Sequence, residues 1–356
     1  MINTIITGTG HYLPDQIITK EAFLQNEFYD EGGAKVTKDN LAVANKLTEI
    51  TGIRERRYAA TEHNTSDLAF FAAQKAIQSA KVDPETLDYI IVAHNFGDVI
   101  AGSNRVDFMP SLASRVKHKL QIKNPDCVCY DISFGCPGWV QGIIQANYYI
   151  KSGEAKKIMV IGAEVLSRVL DPHDRDSMIY ADGAGATILE GKEEETPRGI
   201  LSHASRTDTL DEAYYLWMGT SNNSKACQDN LYIKMHGRKL YKYAVRNVPP
   251  TVKKCLDKAG LDVKDVHKVL IHQANAKLDE GIIRSFFRLY DIKEVPDSVM
   301  PMCIEKMGNN SVATVPILHD LILKGEVEGH AIAKDNHLIF ASVGAGMNVS
   351  TVLYKV

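Results

Sequence analysis

Apolar and polar positions along this chain form blocks that recur in a fixed order. Residues 65–80 have apolar positions at helical spacing, and after a short polar turn the apolar run Tyr89–Ala93 is typical of a buried strand. The same order returns at residues 239–259 and 266–273, with the second helix interrupted at Pro249-Pro250. Because the helix-to-strand spacing is the same in both copies, the pattern predicts a duplicated chain.

A second pair of strands supports the duplication. The strand that leads to Cys136, residues 127–132, is echoed by residues 337–342. Each half then closes on a further apolar strand, at residues 186–189 and 349–354. Strands that alternate with helices indicate mostly parallel sheets with both faces covered, so we predict an α/β protein.

The pattern divides the chain into an N-terminal half, residues 1–195, and a C-terminal half, residues 196–356. Their join lies near Lys192–Arg198, a charged and mainly acidic run that is more typical of a solvated linker than of a binding site. Ligands of open α/β sheets bind at the carboxyl ends of strands, and the candidate residues described next all follow predicted strands or lie in loops.

Cys136 stands where an apolar strand gives way to a helix that opens with Pro137 and Gly138. The unpaired amides and the positive end of the helix dipole favour the thiolate, which is the form of cysteine that attacks carbon. A lone cysteine before a helix is more often structural. A catalytic role for Cys136 therefore depends on partners elsewhere in the chain.

Two later segments contain such partners. A neutral imidazole at His272 and the carboxamide of Asn309 can donate hydrogen bonds to a developing oxyanion, and this pair suits an enolate. Glycines on both sides of Ala345 let its amide approach a ligand closely, so that it could hold a thioester oxygen together with the amide of Cys136. The alternatives are a satisfied core histidine, an Asx-turn and a plain tight turn. In combination the residues indicate covalent acyl transfer.

Composition narrows the classes of function. The 356 residues are 45% hydrophobic and 24% charged, as in ordinary globular proteins, and the net charge of -3 gives no global basic field for nucleic acid. The first residues lack a signal-peptide pattern, and no run approaches the ~20 apolar residues of a membrane span, so we expect a cytoplasmic protein. Six scattered cysteines without CxxC spacing argue against a metal site or a disulfide.

Seven short blocks stand in a characteristic order along the chain. They are Gly8–Pro14, Thr51–Arg57, Ser152-Gly153, Asp171–Arg175, Asp182–Ala186, His272–Asn275 and Gly308–Ser311. Each block alone is a weak signal, but in this order they closely resemble the type III ketoacyl synthases. The resemblance runs nearly end to end. It implies a thiolase-like fold, with duplicated α/β halves in a five-layer αβαβα arrangement, and decarboxylative Claisen condensation of an acyl thioester.

By this resemblance Cys136 is the acylated nucleophile, while His272 and Asn309 bind the thioester carbonyl of malonyl-acyl carrier protein as it becomes an enolate. The backbone amides of Cys136 and Ala345 form the other oxyanion hole. The substrates implied are acyl-CoA or acyl carrier protein (ACP) thioesters and malonyl-ACP, and the product is 3-oxoacyl-ACP. No metal, flavin or other cofactor is implied.

The resemblance also implies a set of binding residues. Arg175, Gly237 and Asn275 match positions that contact coenzyme A or its pantetheine arm. Met109 lies in a loop that reaches the acyl pocket of the partner subunit, so we expect a homodimer.

A basic patch is expected to dock the acidic carrier protein. Lys242, Lys277 and Arg284 match the docking positions of the family, and the seven-residue spacing of the last two puts them on one helix face. The alternative for any such stripe is an ordinary solvated helix face.

The chain departs from the family pattern near the coenzyme. Lys46 and Ile50 stand where the priming enzymes have a tryptophan and an arginine that sandwich adenine, so CoA binding is expected to be weaker. An acyl carrier is then the alternative acyl donor. Phe134, Val343 and the lengthened stretch 95–109 also differ, so acetyl priming does not follow from the sequence.

Two other functions stay open. A specialised-metabolism relative would join two acyl chains through a 3-oxoacyl nucleophile, toward cyclohexanedione or dialkylresorcinol products. Asp98 or Asp107 could supply its base, although ordinary surface aspartates are the simpler interpretation. A noncatalytic partner subunit would have lost the nucleophile or the oxyanion pair, and this chain retains Cys136, His272 and Asn309.

Overall fold

The computed structural model describes residues 1–356 and contains fifteen strands and eight α-helices. The strands are β1 Ile2–Tyr12, β2 Gln16–Thr19, β3 Glu55–Tyr58, β4 Tyr89–Ala93, β5 Asp98–Val99, β6 Val106–Asp107, β7 Val128–Ile132, β8 Lys157–Glu164, β9 Gly183–Glu193, β10 Gly199–Thr207, β11 Leu216–Gly219, β12 Tyr232–Met235, β13 Val266–Ile271, β14 His337–Gly344 and β15 Asn348–Lys355. The helices are α1 Asn40–Thr51, α2 Thr65–Ala80, α3 Leu112–Lys119, α4 Gly138–Ser152, α5 Gly237–Ala259, α6 Ala276–Arg288, α7 Ile304–Met307 and α8 Thr314–Leu323. None of these helices has the length and apolar character to cross a membrane.

Two large sheets carry the architecture. The first has the strand order β1-β9-β8-β4-β7, and the second has the order β10-β15-β14-β13. In the first sheet β8, β4 and β7 are parallel, whereas β9 is antiparallel to both of its neighbours. The second sheet repeats this pattern, because β13 and β14 are parallel and β15 is antiparallel to both β14 and β10.

The sheets and helices stack in five layers. Helices α4 and α8 lie between the two sheets and contact both of them. Helices α2 and α3 cover the outer face of the first sheet, and α5 and α6 cover the outer face of the second. In the central layer Trp139 of α4 packs edge-on against Phe340 of β14, with ring centroids 5.6 Å apart. The α/β class and the αβαβα order predicted from the sequence are therefore confirmed.

The first predicted pair of repeats has nearly identical local structure in both copies. Helix α2 ends before Lys81 and α5 ends before Gly260, and both of these residues have positive φ angles, of 54° and 68°. In each copy an aspartate, Asp83 or Asp262, then caps a short 3-10 turn that leads into the strand. The left-handed residue and the capping aspartate turn the chain back onto the sheet.

The predicted match of β7 to β14 was wrong, whereas the two closing strands, β9 and β15, do hold equivalent places in their sheets. Strand β7, which leads to Cys136, is an edge strand, whereas β14 lies inside its sheet and takes the place that β8 takes in the first. The position equivalent to β7 is held by the 3-10 turn Asp297–Val299, which packs beside β13. Buried strands share an apolar composition whatever their neighbours, so the apolar pattern could not assign the order in the sheet.

Helix α5 also differs from the prediction, since it continues through Pro249 and Pro250 without a break. Each proline removes one backbone hydrogen bond from the helix. The apolar face of α5, which includes Val248, Val252 and Leu256, is buried against the second sheet on both sides of the prolines. Burial of this face holds the two segments in one helix.

The two sheets use separate parts of the chain. Strands of the first sheet lie within residues 2–193, and strands of the second lie within residues 199–355. The connection between them is tied to β1, because Asn3 Nδ2 donates a hydrogen bond of 2.9 Å to the Thr196 carbonyl. We propose residues 1–195 and 196–356 as the two structural halves, a division supported by this separation of the strands.

Candidate active site

Cys136 lies between β7 and the start of α4, packed against the turn that joins β14 and β15. A Cβ atom added to Gly344 would lie 2.5 Å from the backbone nitrogen of Cys136. Gly135 has a φ of 67°, and a Cβ there would lie 2.9 Å from the amide nitrogen of Ala345. Both positions need glycine, which allows the backbone of the C-terminal half to approach the cysteine.

This close approach brings two unused amides into the site. The backbone N–H groups of Cys136 and Ala345 donate hydrogen bonds to no other residue. Unpaired amides beside a nucleophile are suited to binding the oxyanion that forms when a carbonyl carbon is attacked. Their arrangement is compatible with the oxyanion hole expected from the sequence.

Ser311 connects the three residues on which the predicted chemistry depends. Its hydroxyl donates to Cys136 Sγ at 3.3 Å, and its backbone N–H donates to Asn309 Oδ1 at 2.9 Å. The His272 ring lies beside the Ser311 backbone, and its Nδ1 is 3.3 Å from Thr314 Oγ1. Cys136, His272 and Asn309 thus lie around one serine, although they come from both halves of the chain.

Asn309 is held by the backbone of the N-terminal half. Its N–H donates to the Ile179 carbonyl, and its carbonyl accepts from the Ala181 N–H, each at 2.9 Å. The hydrogen bond from the Ser311 amide to Oδ1 is the Asx-turn that was one alternative for this residue. The turn leaves the Nδ2 group of Asn309 without an acceptor in the protein, so that it can donate to a substrate oxygen.

His272 follows β13 and is only 3% exposed. Burial lowers its pKa to about 4, with a smaller opposing effect from the Ser311 backbone beside the ring. The imidazole is therefore neutral near pH 7. A neutral ring can donate a hydrogen bond to a developing oxyanion without adding a positive charge to the site.

Cys136 is less acidic than its place before a helix suggests. Burial raises the pKa of its thiol to about 11, and the neighbouring Glu164 carboxyl also raises it. The hydrogen bond from Ser311 lowers this pKa, but burial outweighs it. The expected preference for thiolate is thus reversed in the free protein, because the sulfur lies in an apolar site and Pro137 contributes no N–H to the helix start.

A cavity of about 360 Å³ opens at the cysteine. Its apolar lining comes from both halves and includes Phe96, Phe134, Leu166, Trp217, Met218 and Ile233. Trp217 and Met218 belong to the β11–β12 hairpin, which forms one wall. The cavity is suited to an apolar chain attached near Cys136.

A larger cleft of about 880 Å³ contains the residues predicted to bind coenzyme A. Arg175, Gly237 and Asn275 all line it, together with Lys242. A Cβ on Gly237 would meet no atom within 4 Å, so this side of the cleft is open. Asn275 Oδ1 caps α6 by accepting the Leu278 N–H at 3.2 Å, which gives this residue a structural role as well.

Carboxylates share this cleft with the basic residues. Asp30, Glu31, Asp174 and Asp176 line it, and burial raises the pKa of Asp176 to about 6. Lys46, at the position of the missing stacking residue, is on the surface and forms an ion pair with Glu49 at 2.9 Å. No group of three or more His, Cys, Asp or Glu side chains is arranged to hold a metal ion.

The predicted docking residues lie on two adjoining helices. Lys242 is on α5, whereas Lys277 and Arg284 are on α6, which packs against α5. Lys277 lies 3.7 Å from Glu49 and Arg284 lies 3.6 Å from Glu280. These exposed pairs are weak and leave the cations accessible to a partner.

Within the lengthened loop, Met109 and the two candidate bases, Asp98 and Asp107, have different surroundings. Met109 is 83% exposed at the outside of the loop. Asp98 and Asp107 both form ion pairs with Arg115, at 2.7 and 2.8 Å. Asp98 also accepts hydrogen bonds from Ser66, so both carboxylates are occupied by structural partners.

The sequence analysis missed three polar residues at the site: Ser311, Asn95 and Glu164. Ser311 was present in the Gly308–Ser311 block, but its positive φ of 50° and its central position are visible only in the fold. Asn95 Nδ2 donates to Ser311 Oγ at 3.0 Å and also to Glu164. Asn95 lies just after β4, and Glu164 lies at the end of β8. Ligands of such sheets bind at these strand ends, so the two positions were the available signal.

Comparison with known families agrees with the resemblance seen in the sequence. Residues 130–209 match the family 3-oxoacyl-[acyl-carrier-protein (ACP)] synthase III, and residues 256–356 match the C-terminal region of the same family. The two matched segments contain Cys136, His272 and Asn309.

Similarity to individual relatives extends over the whole chain. The chain is 32% identical to β-ketoacyl-[acyl-carrier-protein] synthase III of Erythrobacter litoralis, and the alignment covers 100% of both proteins. It is 30% identical to the enzyme of the same name from Staphylococcus haemolyticus, with 99% of each covered. The crystal structure of 3-oxoacyl-[acyl-carrier-protein] synthase III from Aquifex aeolicus superposes with a TM-score of 0.79 at 30% identity, covering 99% of this chain and 100% of that one. The chain belongs to the 3-oxoacyl-[acyl-carrier-protein] synthase III family.

Proposed function

We propose that this protein is an acyltransferase that condenses two acyl thioesters in two half-reactions, as a β-ketoacyl-ACP synthase III-like enzyme. The observation that carries the proposal is the convergence of Cys136, His272 and Asn309 on Ser311, beside an apolar cavity. This arrangement joins a nucleophile to two uncharged hydrogen-bond donors. A noncatalytic partner subunit would have no need of it.

In the first half-reaction the sulfur of Cys136 attacks the carbonyl carbon of an acyl thioester. A carbon–sulfur bond forms, and the amides of Cys136 and Ala345 stabilise the negative oxygen of the tetrahedral intermediate. When the intermediate collapses, the bond to the carrier or CoA sulfur breaks and that thiol leaves with the proton lost by Cys136. The apolar cavity holds the acyl chain.

In the second half-reaction a malonyl thioester enters the same chamber. As its carbon–carboxylate bond breaks, the electron pair moves toward the thioester carbonyl, and carbon dioxide leaves. His272 and the Nδ2 group of Asn309 donate hydrogen bonds to the resulting enolate oxygen. The enolate carbon then attacks the acyl carbon on Cys136, and the cysteine thiolate is the leaving group.

The substrate carriers are proposed from charge and shape. The phosphopantetheine arm would extend through the large cleft past Arg175, Gly237 and Asn275, with the acidic carrier on Lys242, Lys277 and Arg284. The cleft also contains four carboxylates, and stacking residues are absent at Lys46 and Ile50, so we favour an acyl carrier over CoA as the acyl donor.

We also propose a homodimer in which Met109 contacts the partner subunit. Met109 and the nearby Phe108 are strongly exposed for apolar side chains, at 83% and 55%, and Ile100 in the same loop is 54% exposed. Apolar side chains grouped at a loop tip commonly mark a protein interface.

Intact-mass measurement tests the first half-reaction. The protein is incubated with a panel of acyl-CoA and acyl-ACP thioesters, and we expect one acyl group to be added to the wild type and none to Cys136→Ala. The acyl group that is added reports the preferred chain length. A folded wild type that gains no mass with any donor would overturn the proposal and favour a noncatalytic subunit.

Product analysis tests the second half-reaction. The acylated protein is offered malonyl-ACP or a 3-oxoacyl thioester in separate reactions. We expect carbon dioxide and a 3-oxoacyl-ACP product with malonyl-ACP. Condensation only with the 3-oxoacyl thioester would instead identify an enzyme that joins two acyl chains.

A further inference from the structure

Glu164 is a buried carboxyl beside the nucleophile that neither half-reaction uses. It is the last residue of β8 and is 1% exposed. A buried carboxyl is costly unless it has hydrogen-bond partners or stays protonated. Its side-chain partner is Asn95, which connects it to the cysteine through Ser311.

The hydrogen bonds in this connection have a defined direction. One N–H of Asn95 Nδ2 donates to Glu164 Oε1, and the same Nδ2 donates to Ser311 Oγ at 3.0 Å. Because an amide nitrogen has two hydrogens, both are then used. Ser311 Oγ therefore accepts from Asn95, and its own single hydrogen remains for another acceptor.

Two acceptors compete for the hydroxyl hydrogen of Ser311. One is Cys136 Sγ at 3.3 Å, and the other is the Glu164 carboxyl, whose pKa the Ser311 hydroxyl lowers. Donation to sulfur stabilises the thiolate, whereas donation to Glu164 leaves the sulfur without a partner. The state of Glu164 therefore influences which acceptor takes the hydrogen.

We propose that Asn95 and Glu164 are positioning residues, which fix the Ser311 hydroxyl as a hydrogen-bond donor to Cys136 Sγ so that the thiolate forms there. Glu164 acts as a neutral anchor for the Asn95 amide, and Asn95 fixes the direction of the serine hydroxyl. This inference rests on the proposed role of Cys136 as the nucleophile.

The electrostatic surroundings support a neutral Glu164. Burial raises the pKa of this carboxyl to about 8, with a further increase from Asp182. The other titratable groups around the sulfur are Tyr180, whose pKa is also raised by burial, and His272, which is neutral near pH 7. At neutral pH, Glu164 is thus mainly protonated and neither repels a thiolate nor competes strongly for the hydroxyl hydrogen.

The pH profile of Cys136 alkylation tests this arrangement. The wild type and variants are treated with iodoacetamide from about pH 6 to pH 7.5, where Glu164 is mainly protonated, and the rate at Cys136 is followed by peptide mass spectrometry. Below the thiol pKa the rate is proportional to the thiolate fraction. We expect Ser311→Ala and Asn95→Asp to displace the profile by about one pH unit toward alkaline pH, which is an about tenfold slower rate at each pH.

Conservative and matched variants distinguish a loss of Ser311 hydroxyl positioning from general damage to the fold. Glu164→Gln keeps an oxygen acceptor for Asn95 and should stay within about 0.3 pH unit of wild type, whereas Glu164→Leu should shift the profile in the same direction as Ser311→Ala. Ser202→Ala changes a buried serine of β10 that does not line the cavity, and it should leave the profile in place. Circular dichroism establishes that each variant is folded.

The outcomes are decisive in both directions. Wild-type profiles for folded Ser311→Ala and Asn95→Asp would overturn the inference, as would equal alkaline shifts for Glu164→Gln and Glu164→Leu. If Asn95→Asp does not fold, Asn95→Ser, which cannot bridge Glu164 and Ser311, replaces it with the same expected direction. Iodoacetamide needs no acyl substrate. A protein that shows these shifts without accepting an acyl group would contradict the proposed function and leave the positioning inference standing.

Discussion

At matching places in the two halves, α4 begins beside a cysteine and α8 begins beside an asparagine and a serine. Both helices occupy the central layer, and both starts face the same chamber. The strands β4 and β13 are matched in the same way, and Asn95 follows the first while His272 follows the second. The scaffold is duplicated, but the polar side chains on it are not.

The difference between the halves separates two kinds of chemistry. In the proposed mechanism the N-terminal half contributes the sulfur that forms the covalent bond, whereas the C-terminal half contributes uncharged donors for a developing negative charge. Duplication alone brings the two helix starts to one place, so each half can specialise without a change of fold. Substitutions in the two halves should therefore affect different steps.

The largest effect is expected from Cys136→Ala, which removes the proposed nucleophile. We expect complete loss of the acyl-enzyme mass and of product. Cys129→Ala, which changes a half-buried cysteine on the strand that leads to the site, is the matched control and should still be acylated. An acyl adduct on the folded Cys136→Ala variant would assign the nucleophile to another residue.

The next largest effect is expected from His272→Ala. Acylation should be retained, because the proposed mechanism assigns the oxyanion of that step to the backbone amides of Cys136 and Ala345. Condensation should fall about 10²–10³-fold through loss of one donor to the enolate oxygen. Single-turnover reaction of the preformed acyl-enzyme with malonyl-ACP measures this step alone. Normal condensation would contradict the division of roles between the halves.

Asn309→Asp is a second test of the division of roles between the two halves. An aspartate keeps the Oδ1 acceptor for the Ser311 amide but replaces the Nδ2 donor by an oxygen. We expect condensation to fall about a hundredfold or more while acylation remains. Asn310→Asp is a control of equal charge change at the neighbouring position, and its effect on condensation in the same assay should be smaller. Equal losses in both variants would point to general damage of the loop.

Glu164→Gln should alter the pH dependence of stability. The folded-state pKa of Glu164 is raised from 4.5 to about 8, so the folded protein keeps a proton that the unfolded chain loses. Its contribution to stability is complete below pH 4.5 and is lost as the pH rises to about 8. We expect the variant to gain on the order of a few kcal/mol relative to wild type between pH 5 and pH 9.

Thermal unfolding across this range measures the effect of Glu164→Gln. The exposed Glu195→Gln is the control and should track the wild type at every pH. A constant difference between Glu164→Gln and wild type would mean that the carboxyl does not titrate in this window.

The smallest effect is expected at the docking surface. Charge reversal in Lys242→Glu or Lys277→Glu should raise the KM for carrier-bound substrates about three- to tenfold and leave kcat nearly unchanged, with a weaker effect at high salt. Lys254→Glu, on the far end of α5, controls for the charge change and should behave as wild type. Steady-state kinetics with ACP and CoA thioesters check the prediction, since CoA substrates should be less affected.

The sequence predicted those parts of the fold that local patterns encode. The α2–β4 and α5–β13 units were found because each contains its own helix end, capping aspartate and apolar strand. The order of strands in a sheet depends on contacts distant in the chain, and for that reason β14 was paired with β7 instead of β8. The prediction that Pro249 and Pro250 interrupt α5 was wrong for a similar reason, because the burial that keeps this helix continuous comes from the sheet beneath it.

The candidate site, too, was predicted only where local sequence patterns identify a residue. Cys136, His272 and Asn309 were selected by residue type and position, and the structure brings them around Ser311. The acidity of Cys136 was misjudged because the burial that raises its pKa comes from β14 and its turn in the other half. Asn95 and Glu164 have no local signature. Their connection to the cysteine exists only once three separate strand ends meet.

The backbone hydrogen bonds between Asn309 and residues 179–181 have a consequence for biosynthesis. A nascent chain that has emerged only as far as β9 contains every strand of the first sheet, but the loop proposed to polarise the substrate has not yet been made. Synthesis of the second half supplies that loop, and these hydrogen bonds then hold it against the first half. Competence for carbon–carbon bond formation therefore appears late in the life of each molecule, because the second half supplies this loop and also the turn that encloses the sulfur.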